Sequence, residues 1–359
     1  MMIGIVGGGQ LGLMMAEAAI PLGHTVVGLD PEPSCPLSHV AQHMIIAPYD
    51  DPSAIHDLAA QVDVLTYEFE NVDATRLSPY EEQLPQTTHA LVVAKNRWNE
   101  KTFAVECGIP TPRFARYREK KDAVVPSIIK TTKGGYDGKG QYWIRTEEDL
   151  ANAPDQVDDF AYLMEDIVPF DYEISVIATR DQAGNIVTYP IPINTHEQGI
   201  LRTSYVGTDI PKSIQDEAVR LTRVLITRLS YVGTLAVEYF VWGDQVLFNE
   251  FAPRPHNSGH YSIEGCDVSQ FENHIRAITG MAVVSPTLRT TTLMINELGQ
   301  DPPFSQVSWA GCTYHDYHKT ERRAGRKMGH MTCLLGPEVN RTSIVNRLLG
   351  EPYEPTNLD

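Results

Sequence analysis

The sequence predicts an α/β N-terminal unit joined to an α+β body that ends in a small β-rich part. Three observations carry this. From Met2 to Val72 apolar strand-like runs alternate with helical stretches, and beyond Gly108 the pattern changes to paired strand-like runs separated by short turns. The chain has 359 residues, too many for one ordinary core at roughly 150 residues per domain. The divisions expected are 1–90, 91–280 and 281–359.

At the N-terminus MIGIV reads as a strand, the apolar stretch after Gln10 as a helix closed by Gly23, and TVVGLD as the next strand. Asp51 is placed to cap a second helix with Pro52 in its first turn, and VDVLTYEF follows as a strand. The stretch is therefore a βαβαβ half-unit with a parallel sheet. NRWNEKTFAVEC reads as a helix that stops at Gly108, because the prolines of IPTP cannot continue it. SIIK and QYWIR then flank a glycine-rich loop, YEISVIATR and IVTYPI flank DQAGN, and TLAVEYF and QVLFNEF flank a turn at Gly243 and Asp244. Helices are expected after Pro211 and over DVSQFENHIRAITG, the latter capped by Asp267 and ended by Gly280. From about Met281, short strands, proline and a basic run predict the β-rich end.

Composition excludes several classes. A net charge of −17 repels nucleic acid and anionic membranes over most of the surface, so neither is an expected partner. No run nears the ~20 apolar residues of a membrane helix, and a strand beginning at Met2 leaves no room for a secretion signal, so a cytoplasmic location is expected. Cys35, Cys107, Cys266, Cys312 and Cys333 are scattered, with no C-x-x-C pair, and are read as five reduced thiols. Against the acidic trend, HKTERRAGRKMGH gathers Lys319, Arg322, Arg323, Arg326 and Lys327 within nine positions. A solvated loop is the commoner fate of such runs, yet a phosphate-bearing ligand of so acidic a chain has to be met by a cluster of this kind.

Two glycine-rich turns compete for a nucleotide. In GIVGGGQLG the residues Gly7, Gly9 and Gly12 stand as G-x-G-x-x-G on a strand-to-helix turn, with Asp30 ending the next strand, and this pattern alone points to NAD. In KTTKGGYDGKGQ four glycines fall within seven positions among Lys130, Lys133 and Lys139, which suits a polyphosphate. It is not a Walker A loop, since Gly140 follows the lysine where Ser or Thr belongs and a strand comes next.

Glu238 and Glu250 lie on the two strands of the last hairpin, and one or two carboxylates are what Mg2+ takes beside a nucleotide. A strict two-residue turn at Gly243 and Asp244 pairs Glu238 with Asn249 and sends Glu250 to the opposite face. Joint metal binding therefore requires an odd-length loop or a bulge. Directly after Glu250, APRPHNSGH presents Arg254, His256 and Asn257, a guanidinium, imidazole and amide suited to an anion.

Taken in order, GGGQLG, KTTKGGYDGKGQ, the strand glutamate, NEFAPRPHNSGH, SQFENH and GRKMGH resemble the ATP-grasp enzymes. Within that class the chain is most similar to the N5-carboxyaminoimidazole ribonucleotide synthetase family of purine biosynthesis, over nearly its whole length. The resemblance implies an ATP-grasp fold with a Rossmann-like preATP-grasp domain (1–90), an ATP-grasp domain (91–280, lid at about 110–165) and a small C-terminal β-rich domain. It implies an ATP-dependent carbon–nitrogen ligase that carboxylates 5-aminoimidazole ribonucleotide with bicarbonate through carboxyphosphate, using two Mg2+ ions, often as a homodimer.

The same resemblance places residues. Arg97 and Lys130 would meet phosphates, and Gly135, Tyr136, Asp137, Gly138, Lys139, Gly140 and Gln141 would form the lid over them. Glu165, Asp166, Ile167 and Val168 would recognise the adenine, Glu173 would hold the ribose hydroxyls, and His196 would approach the nucleotide. Glu238 and Glu250 would bind the metals with Asn249 beside them. Arg254, His256 and Asn257 would act on bicarbonate or its phosphorylated form, while Lys319 and Arg326 would grip the ribonucleotide phosphate, Lys319 counting with the catalytic residues. Gly8, Gln10, Leu11 and Glu68 would enclose the ribonucleotide, leaving Asp30 a structural role. Between Pro112 and Lys130 the chain is short for the family, which implies a thin lid core. Sibling ATP-grasp carboxylases and formate-using ligases would differ in the acceptor. An NAD-dependent oxidoreductase would leave the second glycine loop unexplained, and a non-catalytic nucleotide-binding module would have no use for Arg254 to Asn257.

Overall fold

The computed structural model describes residues 1–135, 140–158, 161–307, 309–336 and 341–350. Strands β1 (Met2–Val6), β2 (Thr25–Asp30), β3 (His43–Ile46) and β4 (Val64–Tyr67) form a parallel sheet in the order β3-β2-β1-β4. Parallel neighbours require crossovers, and α1 (Gln10–Ala19) and α2 (Pro52–Gln61) supply two of them. Asp51 caps α2 as expected, its side chain accepting from the Ser53 and Ala54 amides, with Pro52 in the first turn. Strand β3 escaped the sequence reading: four residues at the sheet edge are too few for a legible alternation.

Helix α1 is apolar nearly all round because it is covered on both sides. Leu11, Met14 and Met15 pack in one cluster with Ile3 and Ile5 of the sheet and with Phe271, Ile275 and Ile278 of a helix far along the chain. Short helices α3 (Ala74–Leu77) and α4 (Thr88–Ala94) lead to α5 (Arg97–Glu106). Asn96 caps α5 by accepting from the Trp98 and Asn99 amides, and Gly108 follows its end at φ +72°.

A small antiparallel sheet comes next: β5 (Phe114–Tyr117), β6 (Ser127–Thr131), β7 (Gln141–Ile144) and β8 (Tyr162–Glu165), in the order β5-β8-β6-β7. Its core is thin, a cluster of Tyr117, Ile129, Ile144, Ala153 and Met164 on one face.

The large sheet holds β9 (Tyr172–Arg180), β10 (Ile186–Thr188), β11 (Ile193–Glu197), β12 (Ile200–Val206), β13 (Gly233–Trp242), β14 (Gln245–Ala252), β15 (Thr292–Leu298), β16 (Cys312–Asp316) and β17 (Lys327–Leu334). Its order is β14-β13-β9-β11-β12-β15-β17-β16, with β10 beside β9, so the C-terminal strands lengthen the central sheet rather than forming one of their own. Helix α6 (Lys212–Arg228) lays Ile214, Ala218, Leu221 and Leu225 over Val237, Tyr239 and Phe248. Helices α7 (Ser262–Gly265), α8 (Gln270–Ile278) and α9 (Arg341–Leu349) complete the described elements.

Two expectations fail here. The cap of α8 is Ser269, which accepts from the Glu272 amide; Asp267 instead accepts from the Thr287 amide, two residues too early to reach the helix end. Nor are all five cysteines reduced. The register of β16 on β17 sets Cys312 directly opposite Cys333 with Cα atoms 4.0 Å apart, and the pair is a disulfide, leaving Cys35, Cys107 and Cys266 free. A separation of 21 residues carries no motif, and only strand pairing makes these two neighbours.

Candidate active site

The hairpin of β13 and β14 turns through Gly243, at φ +56°, and Asp244, with Trp242 opposite Gln245. The register runs in step as far as Tyr239 opposite Phe248 and then slips by one residue. Asn249 is the extra residue of a β-bulge, and Glu250 stands directly opposite Glu238. Directly opposed residues project from the same face, so the bulge supplies the condition that joint metal binding requires.

Two cavities meet at these acids. The first lies between the small sheet and the large one; Lys130, Gln141, Glu173, His196 and Asn249 line it on the polar side. Its other wall is an apolar slot of Ile128, Ile167, Val168, Leu201, Phe170 and Phe240, the two phenylalanine rings stacked at 4.8 Å. The second cavity opens toward the N-terminal sheet and is lined by Gln10, Leu11, Glu68, Glu70, Gly135 and Arg254. Arg97, Glu238, Glu250, His256, Asn257 and Lys327 border both.

Charge is arranged in pairs. Arg97 Nη1 donates to Glu250 at 2.8 Å, and although burial opposes it this guanidinium holds the Glu250 carboxyl below its ordinary range. Burial and then the Glu250 charge push Glu238 the other way, upward. His196 Nδ1 lies 3.2 Å from Glu173, whose charge outweighs burial and raises the imidazole to about 9. His256 Nε2 is 3.5 Å from Glu238, but burial and then Arg254 hold this imidazole neutral. Ligand atoms of Glu173, His196 and Glu238 all lie within 4.8 Å of one another.

Lys130 and Lys101 grip opposite oxygens of the buried Glu165, at 2.5 and 2.8 Å, and drive it down to about 2 in spite of its burial. The Glu165 carboxylate therefore faces lysines, while Asp166 pairs with Arg113 at 2.6 Å. Arg254 Nε donates to Glu70 at 2.7 Å, and the Asn257 amide donates to Asn296 at 3.0 Å.

The N-terminal turn is already occupied. The Gly8 amide donates to Asp30 at 2.7 Å, and the Gly9 and Gly12 amides donate to the two oxygens of Glu68 at 2.5 and 2.8 Å. The seat that would hold a dinucleotide pyrophosphate at this helix N-terminus is filled by the chain's own carboxylate.

Not every expected residue gathers at the cavities. Lys319 donates to the Lys327 carbonyl at 2.8 Å and Arg326 to the Glu321 carbonyl at 3.0 Å, and neither borders either cavity; Gly8 is buried against Asp30. Gly140, at φ +74°, accepts from the Thr131 amide at the base of the loop, whereas Tyr136, Asp137, Gly138 and Lys139 lie outside the described residues. Lys327, Glu70, Phe170 and Phe240 were missed as site residues. Lys327 was visible in the basic run, but only strand pairing shows which member of that run turns inward.

The fold and these facing acids define an ATP-grasp ligase: residues 102–271 match the ATP-grasp domain, preceded by a ribonucleotide synthetase preATP-grasp domain over 1–95. Residues 292–341 match the phosphoribosylaminoimidazole carboxylase C-terminal domain. The chain is 39% identical over 353 residues to N5-carboxyaminoimidazole ribonucleotide synthase of Bacillus subtilis, covering 94% of this chain and 92% of that one. It superimposes on the crystal structure of N5-carboxyaminoimidazole synthetase from Staphylococcus aureus complexed with ADP at a TM-score of 0.90, with 38% identity and 96% of each chain covered. The Aspergillus clavatus enzyme in complex with ADP and 5-aminoimidazole ribonucleotide matches at a TM-score of 0.85, with 27% identity and 93% of each chain covered. The chain belongs to the N5-carboxyaminoimidazole ribonucleotide synthase family.

Proposed function

We infer that the chain carboxylates 5-aminoimidazole ribonucleotide with bicarbonate at the cost of ATP, in purine biosynthesis. The observation that carries this reading is the bulged hairpin, which opposes two acids where two cavities join. ATP fits the first cavity: a flat base against the apolar wall of Ile128, Val168, Leu201 and the stacked Phe170 and Phe240, its ribose hydroxyls at Glu173, its phosphates toward Lys130 and Arg97. Glu238 and Glu250 suit Mg2+, because their two carboxylates project from one face, Glu238 buried and Glu250 partly exposed, with the Arg97 guanidinium paired to Glu250. When bound there, Mg2+ ions supply neutralisation of charge on the β- and γ-phosphates.

Arg254, His256 and Asn257, on the wall of the second cavity, would orient bicarbonate for attack on the γ-phosphoryl group, giving carboxyphosphate. With its Nδ1 accepting from the Ser258 amide, neutral His256 presents Nε2–H as a donor to an anion at that point. Carboxyphosphate breaks its C–O bond to give carbon dioxide and phosphate, and the exocyclic amine of the ribonucleotide, held in the second cavity, forms the N–C bond to that carbon dioxide as it gives up a proton to the phosphate. Enclosure matters because water competes for both species. The resemblance further supports a cytoplasmic homodimer. No helix among the described residues is long and apolar enough to cross a membrane.

The test is ADP formation from ATP, Mg2+ and bicarbonate, with and without 5-aminoimidazole ribonucleotide. Strong dependence on the ribonucleotide is expected; dependence on a different acceptor would assign the chain to a sibling ligase. In the same assay Lys319→Ala is expected to raise KM for the ribonucleotide far more than KM for ATP. Equal changes in both would move the phosphate site away from the basic run.

A further inference from the structure

The bulge that opposes Glu250 to Glu238 lies on an edge strand, since β14 begins the order of the large sheet. Its outward backbone groups have no neighbouring strand among the described residues, and an edge of this kind is free to slip. They are met instead by one end of α5 and the loop after it. Lys101 Nζ donates to the Phe248 carbonyl at 3.1 Å, the Phe251 amide donates to Glu100 at 2.6 Å, and the Phe248 amide donates to the Pro110 carbonyl at 2.8 Å. Phe248 and Phe251 bracket Asn249 and Glu250, so two adjacent side chains of one helix hold both flanks of the bulge. A third, Arg97, reaches Glu250 itself from the preceding turn.

Glu100 and Lys101 are 3% and 2% exposed, burial and then the Glu250 charge push the Glu100 carboxyl upward, and burying two ionisable side chains to cover a strand edge is costly where an apolar loop would do. What the two anchors add is register. With Phe248 O on Lys101 and Phe251 N on Glu100, the chain between them sets two residues, Asn249 and Glu250, against the one residue Glu238; a slip that removed the bulge would leave Phe248 opposite Tyr239 but move Phe251 away from Glu100, returning Asn249 to its place opposite Glu238 with Glu250 on the other face. Lys101 also bonds Glu165 at 2.8 Å, so the same side chain ties the bulge to the strand beside the base slot.

We propose that Glu100 and Lys101 are positioning residues that hold the Asn249 bulge in register and thereby set the affinity of the site for divalent cations. The proposal rests on the reading of Glu238 and Glu250 as the metal-binding acids. Neither Glu100 nor Lys101 is assigned to substrate or metal.

The experiment measures ADP formation at saturating ATP, bicarbonate and 5-aminoimidazole ribonucleotide while free Mg2+ is varied, with thermal melting of each variant alongside. Glu100→Leu and Lys101→Met are each expected to raise the half-saturating Mg2+ concentration about tenfold, with kcat at saturating Mg2+ recovered to within a few-fold, as loss of one buried hydrogen bond implies. Glu100→Gln, which keeps an acceptor for the Phe251 amide, should restore most of the wild-type response. If Glu100→Leu does not fold, Glu100→Asp replaces it, being one methylene too short to reach that amide, and the same tenfold shift is expected. A lowered melting temperature with an unchanged Mg2+ response in these variants overturns the proposal. Glu250→Gln separates the two levels: if it keeps the wild-type Mg2+ response, the assignment of the metal acids is what fails, whereas an inactive Glu250→Gln beside unaffected Glu100 and Lys101 variants defeats the register clamp alone.

Discussion

The two glycine-rich turns offer the same chemistry in the sequence and meet opposite fates in the fold. In the N-terminal turn Glu68 and Asp30 accept from the Gly8, Gly9 and Gly12 amides, so the helix end is neutralised from within. In the second turn Gly134, at φ +71°, has no atom of the described residues beyond its chain neighbours within 4 Å of where a Cβ would stand, and Gly135 borders the cavity with its carbonyl accepting from Arg97. One turn is closed by its own protein, and the described residues of the other border a cavity with Arg97, Glu238 and Glu250. A phosphate-like glycine pattern thus reports only that backbone amides are available. Whether a ligand takes them depends on which side chain the tertiary structure brings in front.

The sharpest way to break this contrast is at the acids of the open region. Glu250→Gln is expected to lower the rate of ADP formation by about 10³-fold, on the order of 4 kcal/mol, with an unchanged circular dichroism spectrum. Full activity would show that the open region is not where the phosphates react. At the closed turn Gly7→Ala should cost on the order of 3 kcal/mol in urea unfolding. The added Cβ would lie 2.4 Å from Glu68 Cγ and 2.9 Å from the Phe69 ring, at a backbone φ of +104°.

Between the regions stands His274, whose Nδ1 accepts from the Thr234 amide of β13 while its Nε2 meets Thr66 of β4 at 3.0 Å. Burial depresses this imidazole to about 3, so the fold prefers it neutral. Its contribution is complete above the unfolded value near 6.5 and is lost as pH falls toward 3, because the unfolded chain binds the proton first. Unfolding free energy should therefore drop by about 1.4 kcal/mol per pH unit below 6.5 from this residue alone. Denaturant titrations from pH 7 to 4, in the wild type and in His274→Asn, check it: the variant should start lower and fall less steeply. The smallest effect belongs to the open turn, where Gly134→Ala should cost about 1 kcal/mol or less, from the positive φ alone. A loss as large as that of Gly7→Ala would mean that the second turn is as tightly packed as the first.

Much of the fold was legible because it rests on local pattern. The strand–helix alternation, the Asp51 cap with Pro52, the stop at Gly108 and the three hairpins all depend on residues within one or two turns of each other. The misses were of another kind. Ser269 in place of Asp267 is a choice between two caps separated by two residues, which backbone geometry makes and composition does not. Lys101 and Glu100 looked like ordinary polar residues on a helix surface, and they are buried because an edge strand nearly 150 positions later lies against them. The bonding of Cys312 to Cys333 likewise follows from register.

By itself the sequence determined the main strand–helix alternation, the inventory of chemistry and its family, since periodicity, caps and turn residues act over short distances. It determined too that Glu238 and Glu250 could share a site only if the hairpin between them broke step. That it does break step at Asn249, that Glu68 closes the first glycine turn, and that Lys327 alone of its basic run borders both cavities were decided by tertiary structure. Each depends on which groups distant segments set against one another, and a buried polar atom must take its partner from whatever is packed beside it.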